Sequence, residues 1–402
     1  MTRAFLRLRC PYRPVARQSP LSICLRSYSS GLTHDRVQVR CGSTGDVSID
    51  LYNIDKLSPT TPLLLHLPPS PTIDDTRVPL PAFIQRFPVA TINYRWDMFE
   101  SRIPGSPIYD TGRARSWPTP VHDVGFSFAW LSENLRPLGS GRQFVYAYGS
   151  YLGASLATSL ALTECHPHSP FAVRGLVAYN GIYNWTMFLP DHKVNRSPKK
   201  TKMVSKPMKF GSEHMQSLWE QLPALFGEPC NLFDCFGSPS LFFHNPGLTE
   251  PASFYQSSEE AAAIKAIADG ELPVGDIQQV RKSHLIFPPR SSTLKIPETM
   301  LLHDSVPQFI RSKAANSKTV KKTASNTFGS QAMELAELMW RSVDVVELKE
   351  RAKWDDEIAV WANEAKRRVQ LADVGNERPD LSLNTAGAKI IADWLAARFP
   401  MA

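Results

Sequence analysis

The chain of 402 residues is 43% hydrophobic and 21% charged, with 33 prolines, a composition ordinary for a globular protein and long enough for one large core or two smaller ones. Its formal charge of +7 resides almost wholly in Arg3, Arg7, Arg9, Arg13, Arg17 and Arg26: of 45 basic residues, the 39 others face 38 acidic ones. The rest of the chain is therefore nearly neutral, and no uninterrupted apolar run reaches the ~18 residues of a membrane span.

Residues 1–30 are rich in Arg and Ser and precede the first acidic residue, Asp35. That composition, with Phe5, Leu6 and Leu8 as an apolar stripe, is expected of a mitochondrial transit peptide cleaved near Ser29 to Gly31. A secretory signal would need an apolar core of 7–15 residues, and none is present. The expected compartment is the mitochondrial matrix. Cys41, Cys165, Cys230 and Cys235 beyond the leader are too few and scattered for a disulfide framework. They offer no paired spacing for zinc, so buried free thiols are expected.

The predicted elements follow in order. Segments 37–41 and 47–54 flank Gly42-Ser43-Thr44-Gly45-Asp46 and read as a hairpin. Segment 62–67 is a short apolar run of the kind found in buried parallel strands. A helix is predicted over 74–87, a strand over 89–94, and a helix over 120–135, where Val121, Val124, Phe128, Leu131 and Leu135 recur at helical spacing. Strand 143–148, helix 151–164 and strand 174–179 continue the alternation. Regularity fails over 186–283, which contains a helix near 214–226, a strand-like 240–244 and a helix near 257–269. Alternation resumes with strand 298–303, helix 329–342, strand 343–348 and helices 355–372 and 385–398. Such alternation predicts an α/β domain over 31–402, a mostly parallel sheet with helices on both faces. Segment 186–283 is a cap-like insertion, and 305–325 a basic loop insertion.

The strand at 143–148 runs into Gly149-Ser150-Tyr151-Leu152-Gly153 and then Ala154-Ser155-Leu156-Ala157. This is the layout of a nucleophile elbow, a tight strand-to-helix turn whose central side chain projects above the sheet. Upstream stand His66, Tyr94-Arg95-Trp96 and Trp117-Pro118-Thr119-Pro120-Val121-His122-Asp123. In that order the chain resembles the α/β-hydrolase superfamily, and within it the hormone-sensitive-lipase-like esterases. The resemblance covers 60–190 closely and 290–400 loosely. It implies an ester hydrolase using a serine, an acid and a histidine in chain order, with no cofactor and no metal.

The chemistry departs from that pattern in three places. Tyr151 occupies the serine's position, and a phenol is too bulky and too weakly acidic to take over acyl transfer. Ser150 lies one residue off; a shifted frame ending at Ala157 would offer Ser155. The last histidine is His303, too early for the general base, and aligning the acid loop places the neutral Asn326 at the acid's position. Asp304, beside His303, is an unorthodox substitute. After His66, Leu67, Pro68 and Pro69 stand where the esterases carry glycines, and proline has no N–H to offer an oxyanion. Together these departures predict a degenerate member that binds a protein assembly or a small apolar ligand; an active carboxylesterase with a non-standard set is the alternative. A third reading rests on two basic runs, including Lys199, Lys200, Lys202, Lys321 and Lys322, as a rim for RNA or anionic lipid. The other histidines, among them His192, His214 and His244, are expected to be solvated or capping.

Overall fold

The computed structural model describes residues 32–58, 61–71, 77–97, 115–137, 141–195, 210, 212–246, 286–306, 326–349 and 363–398. Eight strands form one sheet: β1 (His34–Arg40), β2 (Asp46–Tyr52), β3 (Leu63–Leu67), β4 (Val89–Asn93), β5 (Gln143–Ser150), β6 (Phe171–Tyr179), β7 (Glu298–Ser305) and β8 (Val369–Asn376). Their spatial order is β1-β2-β4-β3-β5-β6-β7-β8. The β1–β2 hairpin and the β2–β4 pairing are antiparallel, and every other pairing is parallel.

Side-chain alternation sorts the strand residues into two apolar layers. Leu63, Leu65, Val145 and Ala147 join one layer with α1 (Thr119–Asn134), α2 (Leu152–Thr163) and α4 (Phe328–Ser342). Leu64, Tyr146, Tyr148 and Val177 face the other, against α5 (Thr385–Ala396) through Ile391, Trp394 and Leu395. The central strands are buried on both faces, as continuous apolar runs require. Local chemistry sets the helix starts. Pro120 lies in the first turn of α1, where a missing N–H costs nothing. Thr327 and Ser330 cap α4 reciprocally, at 2.8 and 3.1 Å.

Four sequence expectations need correction. Within 77–87 there is no α-helix, only a 3-10 turn at Ala82–Ile84, because Pro79 and Pro81 interrupt the helical pattern. Segment 240–244 is no strand but part of a 3-10 turn, Pro239–Phe242. The valine-rich 343–348 prolongs α4 as a π-helix, Val343–Leu348. The last strand is β8, whose first residues the sequence assigns to a helix. The four thiols are free, yet only Cys41 and Cys165 are buried; Cys230 is exposed and Cys235 half-buried. The leader 1–30, the helix near 257–269 and residues 355–362 of the predicted 355–372 helix lie outside the described residues; of the remainder, Glu364–Arg368 is a short helix.

Within 186–283, α3 (Glu213–Phe226) starts at Ser212, whose hydroxyl accepts the Met215 N–H at 3.3 Å. Met215, Leu218, Leu225 and Phe226 join the core, so this part of the insertion is seated on the domain.

Candidate functional site

The turn after β5 is tight enough to exclude side chains at both of its glycines. A Cβ on Gly149 would lie 2.5 Å from the Gly153 carbonyl oxygen, and one on Gly153 would lie 2.5 Å from that of Leu67. At the apex, Tyr151 has φ 51 and ψ −117, a conformation disfavoured for any residue with a Cβ. Its N–H donates to the Tyr179 carbonyl at 2.9 Å. A strained apex, two obligatory glycines and a buried helix behind them are the geometry of a nucleophile elbow, on a sheet with one antiparallel strand, β2, near its edge and parallel pairings from β4 onward. The chain has the α/β-hydrolase fold.

No family model matches the chain, and no curated protein is similar to it in sequence. Among solved structures it is similar to carboxyl esterase 2 from the fungus Tuber melanosporum, at 13% identity and a TM-score of 0.46, covering 95% of this chain and 88% of that one. A bacterial heroin esterase gives 12%, 0.45, 92% and 84%. Esterase LipW from Mycobacterium marinum gives 12%, 0.43, 92% and 81%.

An α/β-hydrolase elbow serves catalysis through a nucleophile at its apex and the N–H that follows it. Here the apex is a phenol, only 5% exposed, with its ring edge-on to Phe328 at 6.1 Å. The following N–H, that of Leu152, donates to the Pro69 carbonyl at 3.2 Å. The neighbouring Pro68 carbonyl accepts the Tyr94 hydroxyl at 2.9 Å. Thus the loop after β3 turns two carbonyl oxygens, acceptors rather than donors, toward the elbow.

The serines are placed elsewhere. Ser150 is buried at the end of β5. Ser155 is fully buried in the first turn of α2 and donates to the Leu152 carbonyl at 2.9 Å, a bond that occupies its only proton. The shifted frame is therefore not an elbow.

His303 and Asp304 do not form a dyad, because adjacent residues on a strand point to opposite faces. Among the described residues, the His303 ring lies 3.4 Å from the Asp304 backbone carbonyl and makes no hydrogen bond to its carboxylate. The Asp304 carboxylate accepts the Tyr179 hydroxyl at 2.7 Å and the Asn180 amide at 2.9 Å. Burial nonetheless raises its pKa above the usual carboxylate range. Asn326 is buried, and its Oδ1 accepts from Gln331 at 2.9 Å. Gln331 in turn accepts the N–H groups of Tyr183 and Asn184, at 3.0 and 2.8 Å. That amide ladder is structural. His66 faces the layer away from α2, with Nδ1 3.2 Å from the Thr91 hydroxyl and its ring stacked on Tyr148. Burial pushes it down to about 3, so it is neutral.

Sequence reasoning missed the aromatic cluster that forms between the chain after β4 and the end of α3. The indole N–H of Trp96 and the backbone N–H of Trp117 both donate to the Leu225 carbonyl at the end of α3, at 2.6 and 3.1 Å. Phe226 then packs its ring 5.5, 5.3 and 5.1 Å from those of Trp96, Trp117 and Trp185. All four are buried. Their contacts join positions from 41 to 130 residues apart, and no local pattern announces them. A structural pair did leave a signal: Asp123, noted at the start of α1, holds Arg95 through its Nε at 2.9 Å, while Arg95 also reaches the Thr44 carbonyl at 2.6 Å.

Three cap histidines are likewise not free surface groups. His244 lies 3.2 Å from Glu334 and His214 3.9 Å from Glu377. His192 is fully buried, and burial pushes it down to about 4. His214 approaches the chain just after β8, where an α/β-hydrolase histidine would stand, and there it donates to the Arg378 carbonyl at 3.0 Å. The rim lysines Lys199, Lys200, Lys202, Lys321 and Lys322 lie outside the described residues. Among the described residues, no cluster of three or more His, Cys, Asp or Glu is placed to hold a metal ion.

Proposed function

We propose that this protein is a hydrolase-fold scaffold without acyl-transfer chemistry, acting in the mitochondrial matrix by binding a partner protein. The observation that carries the reading is the bond from the Leu152 N–H to the Pro69 carbonyl. It ties up the backbone donor on which oxyanion stabilisation in this fold depends, and it does so beside an apex with no serine. The removal of a single oxyanion donor costs ~100- to 1000-fold in rate; here the nucleophile and the base after β8 are missing as well.

The aromatic filling of Trp96, Trp117, Trp185 and Phe226 favours a macromolecular partner over a small apolar ligand, since the described side chains already occupy one another's contact surface. The compartment rests on the acid-free, arginine-rich first thirty residues. Labelling of the purified protein with a serine-reactive fluorophosphonate, alongside its recovery from isolated mitochondria, tests both halves. Absence of labelling and a stoichiometric co-purifying protein are expected. Labelling that disappears in Ser155→Ala, or exclusive recovery as a free monomer from the cytosol, would contradict the proposal.

A further inference from the structure

At the N-terminal end of β7, the sheet edge opposite the elbow, a cleft of about 320 Å³ opens between residues 288–296 and the turn that follows α4. Its shape comes from the sequence of that turn. Val343, Val345 and Val346 are weak helix formers, and α4 widens there into the π-helix Val343–Leu348, with the Lys349 N–H bonded to the Asp344 carbonyl. Single π turns inside helices are rare and recur at functional sites.

The opposing wall is fixed. The Lys295 N–H donates to the Cys165 carbonyl at 3.1 Å, and the Ser342 hydroxyl donates to the Phe287 carbonyl at 2.5 Å. Phe287 itself packs on Phe242 and Phe243. These contacts tie the segment before β7 to the body of the domain.

Its lining is divided. Pro288 and Ile296 are buried and Val346 half-buried, while Arg290, Lys295 and Glu347 supply the charged part of the lining. Glu347 is held by both terminal nitrogens of Arg368, one at 3.3 Å, and lies 3.5 Å from the Lys295 ammonium. Arg368 is shared with Glu364, which Arg367 also holds, and Glu298 pairs with Arg367 and Arg398; three carboxylates thus meet three guanidiniums, and Lys295, whose side chain is 39% exposed, brings surplus positive charge to the cleft.

We propose that this cleft is a binding site for a small amphipathic anion, with a carboxylate at Lys295 and a short alkyl chain against Pro288, Ile296 and Val346. The volume lies at the lower end of ligand pockets. At ~30 Å³ per water-sized unit it holds about ten non-hydrogen atoms, the size of octanoate. Among the described residues, no residue of the elbow lines it.

Calorimetric titration of the full chain with octanoate tests the site. One saturable site is expected, with octan-1-ol bound about tenfold more weakly because it lacks the charge. Val346→Trp should fill the cleft and Lys295→Gln should remove the charge, each weakening octanoate by about tenfold or more, with thermal midpoints close to the parent's. Lys295→Gln carries the test alone where Val346→Trp fails to fold, since Arg368 still compensates Glu347. No saturable binding to the parent chain, equal affinity for octanol, or octanoate affinity indifferent to Lys295→Gln would each overturn the proposal.

Discussion

The strand–turn–helix at 143–163 and the loops that surround it have diverged to different degrees. The first keeps every backbone feature of a nucleophile elbow, including a residue with a Cβ held at φ 51 and two glycines that tolerate no side chain. Around it stand Pro68 and Pro69 after β3 and a buried Asn326 before α4, and the sequence has no histidine after His303. The contrast teaches that an elbow is also a packing device: Gly149 and Gly153 let α2 lie directly on the sheet, and the Tyr151 ring packs edge-on to Phe328 in the core. On the function proposed above, the turn serves stability rather than chemistry.

That division can be broken from the packing side. Phe226→Ala should have the largest effect, about 3–5 kcal/mol, because it empties the centre of a buried aromatic cluster that cannot readily collapse. Urea denaturation followed by tryptophan fluorescence reads this, since Trp96, Trp117 and Trp185 are the rings uncovered. Gly153→Ala should cost about 3 kcal/mol, as the new methyl meets backbone of Leu67 and Pro68 rather than a movable side chain. A loss below about 0.5 kcal/mol would mean the close approach is not a constraint.

A protonation test is of intermediate size. His66 and His192 are buried and neutral, pushed down to about 3 and about 4, against about 6.5 in an unfolded chain. Below pH ~6.5 the unfolded state binds more protons, so stability is fully present above that pH. It declines as pH falls toward about 4 for His192 and about 3 for His66, at up to ~1.4 kcal/mol per pH unit for each group. Unfolding midpoints between pH 7.5 and 5 should show that slope, and His66→Gln should reduce it.

The smallest effect is the most discriminating about strain. At position 151, glycine should be more stable than alanine by about 1 kcal/mol, the reverse of the usual order, because only glycine adopts the apex conformation freely. Comparison of denaturation midpoints for Tyr151→Gly and Tyr151→Ala decides it.

Much of this was legible in the sequence where the signal is local. The β5 run and the glycine pair mark the elbow, and alternation marks the parallel sheet. Where tertiary packing overrides local pattern, the reading fails. Val343–Leu348 has a strand's composition, yet it continues a helix already anchored by Leu335 and Met339. β8 is an edge strand whose solvent-facing residues dilute its alternation, so it reads as the tail of a helix. At the site, the missing serine and the prolines are visible as letters. The Leu152 to Pro69 bond and the Leu225 carbonyl between two tryptophans are products of the fold alone.

The most direct test of the account is turnover of p-nitrophenyl butyrate by purified protein beside its Tyr151→Ser, Ser150→Ala, Ser155→Ala and His303→Ala variants. The account predicts background hydrolysis by all five. The serine variant is included because a hydroxyl at the apex, without a base or an oxyanion donor, remains a poor nucleophile near neutral pH. Turnover by the parent protein that is abolished by one alanine substitution, in a variant that stays folded, would contradict it.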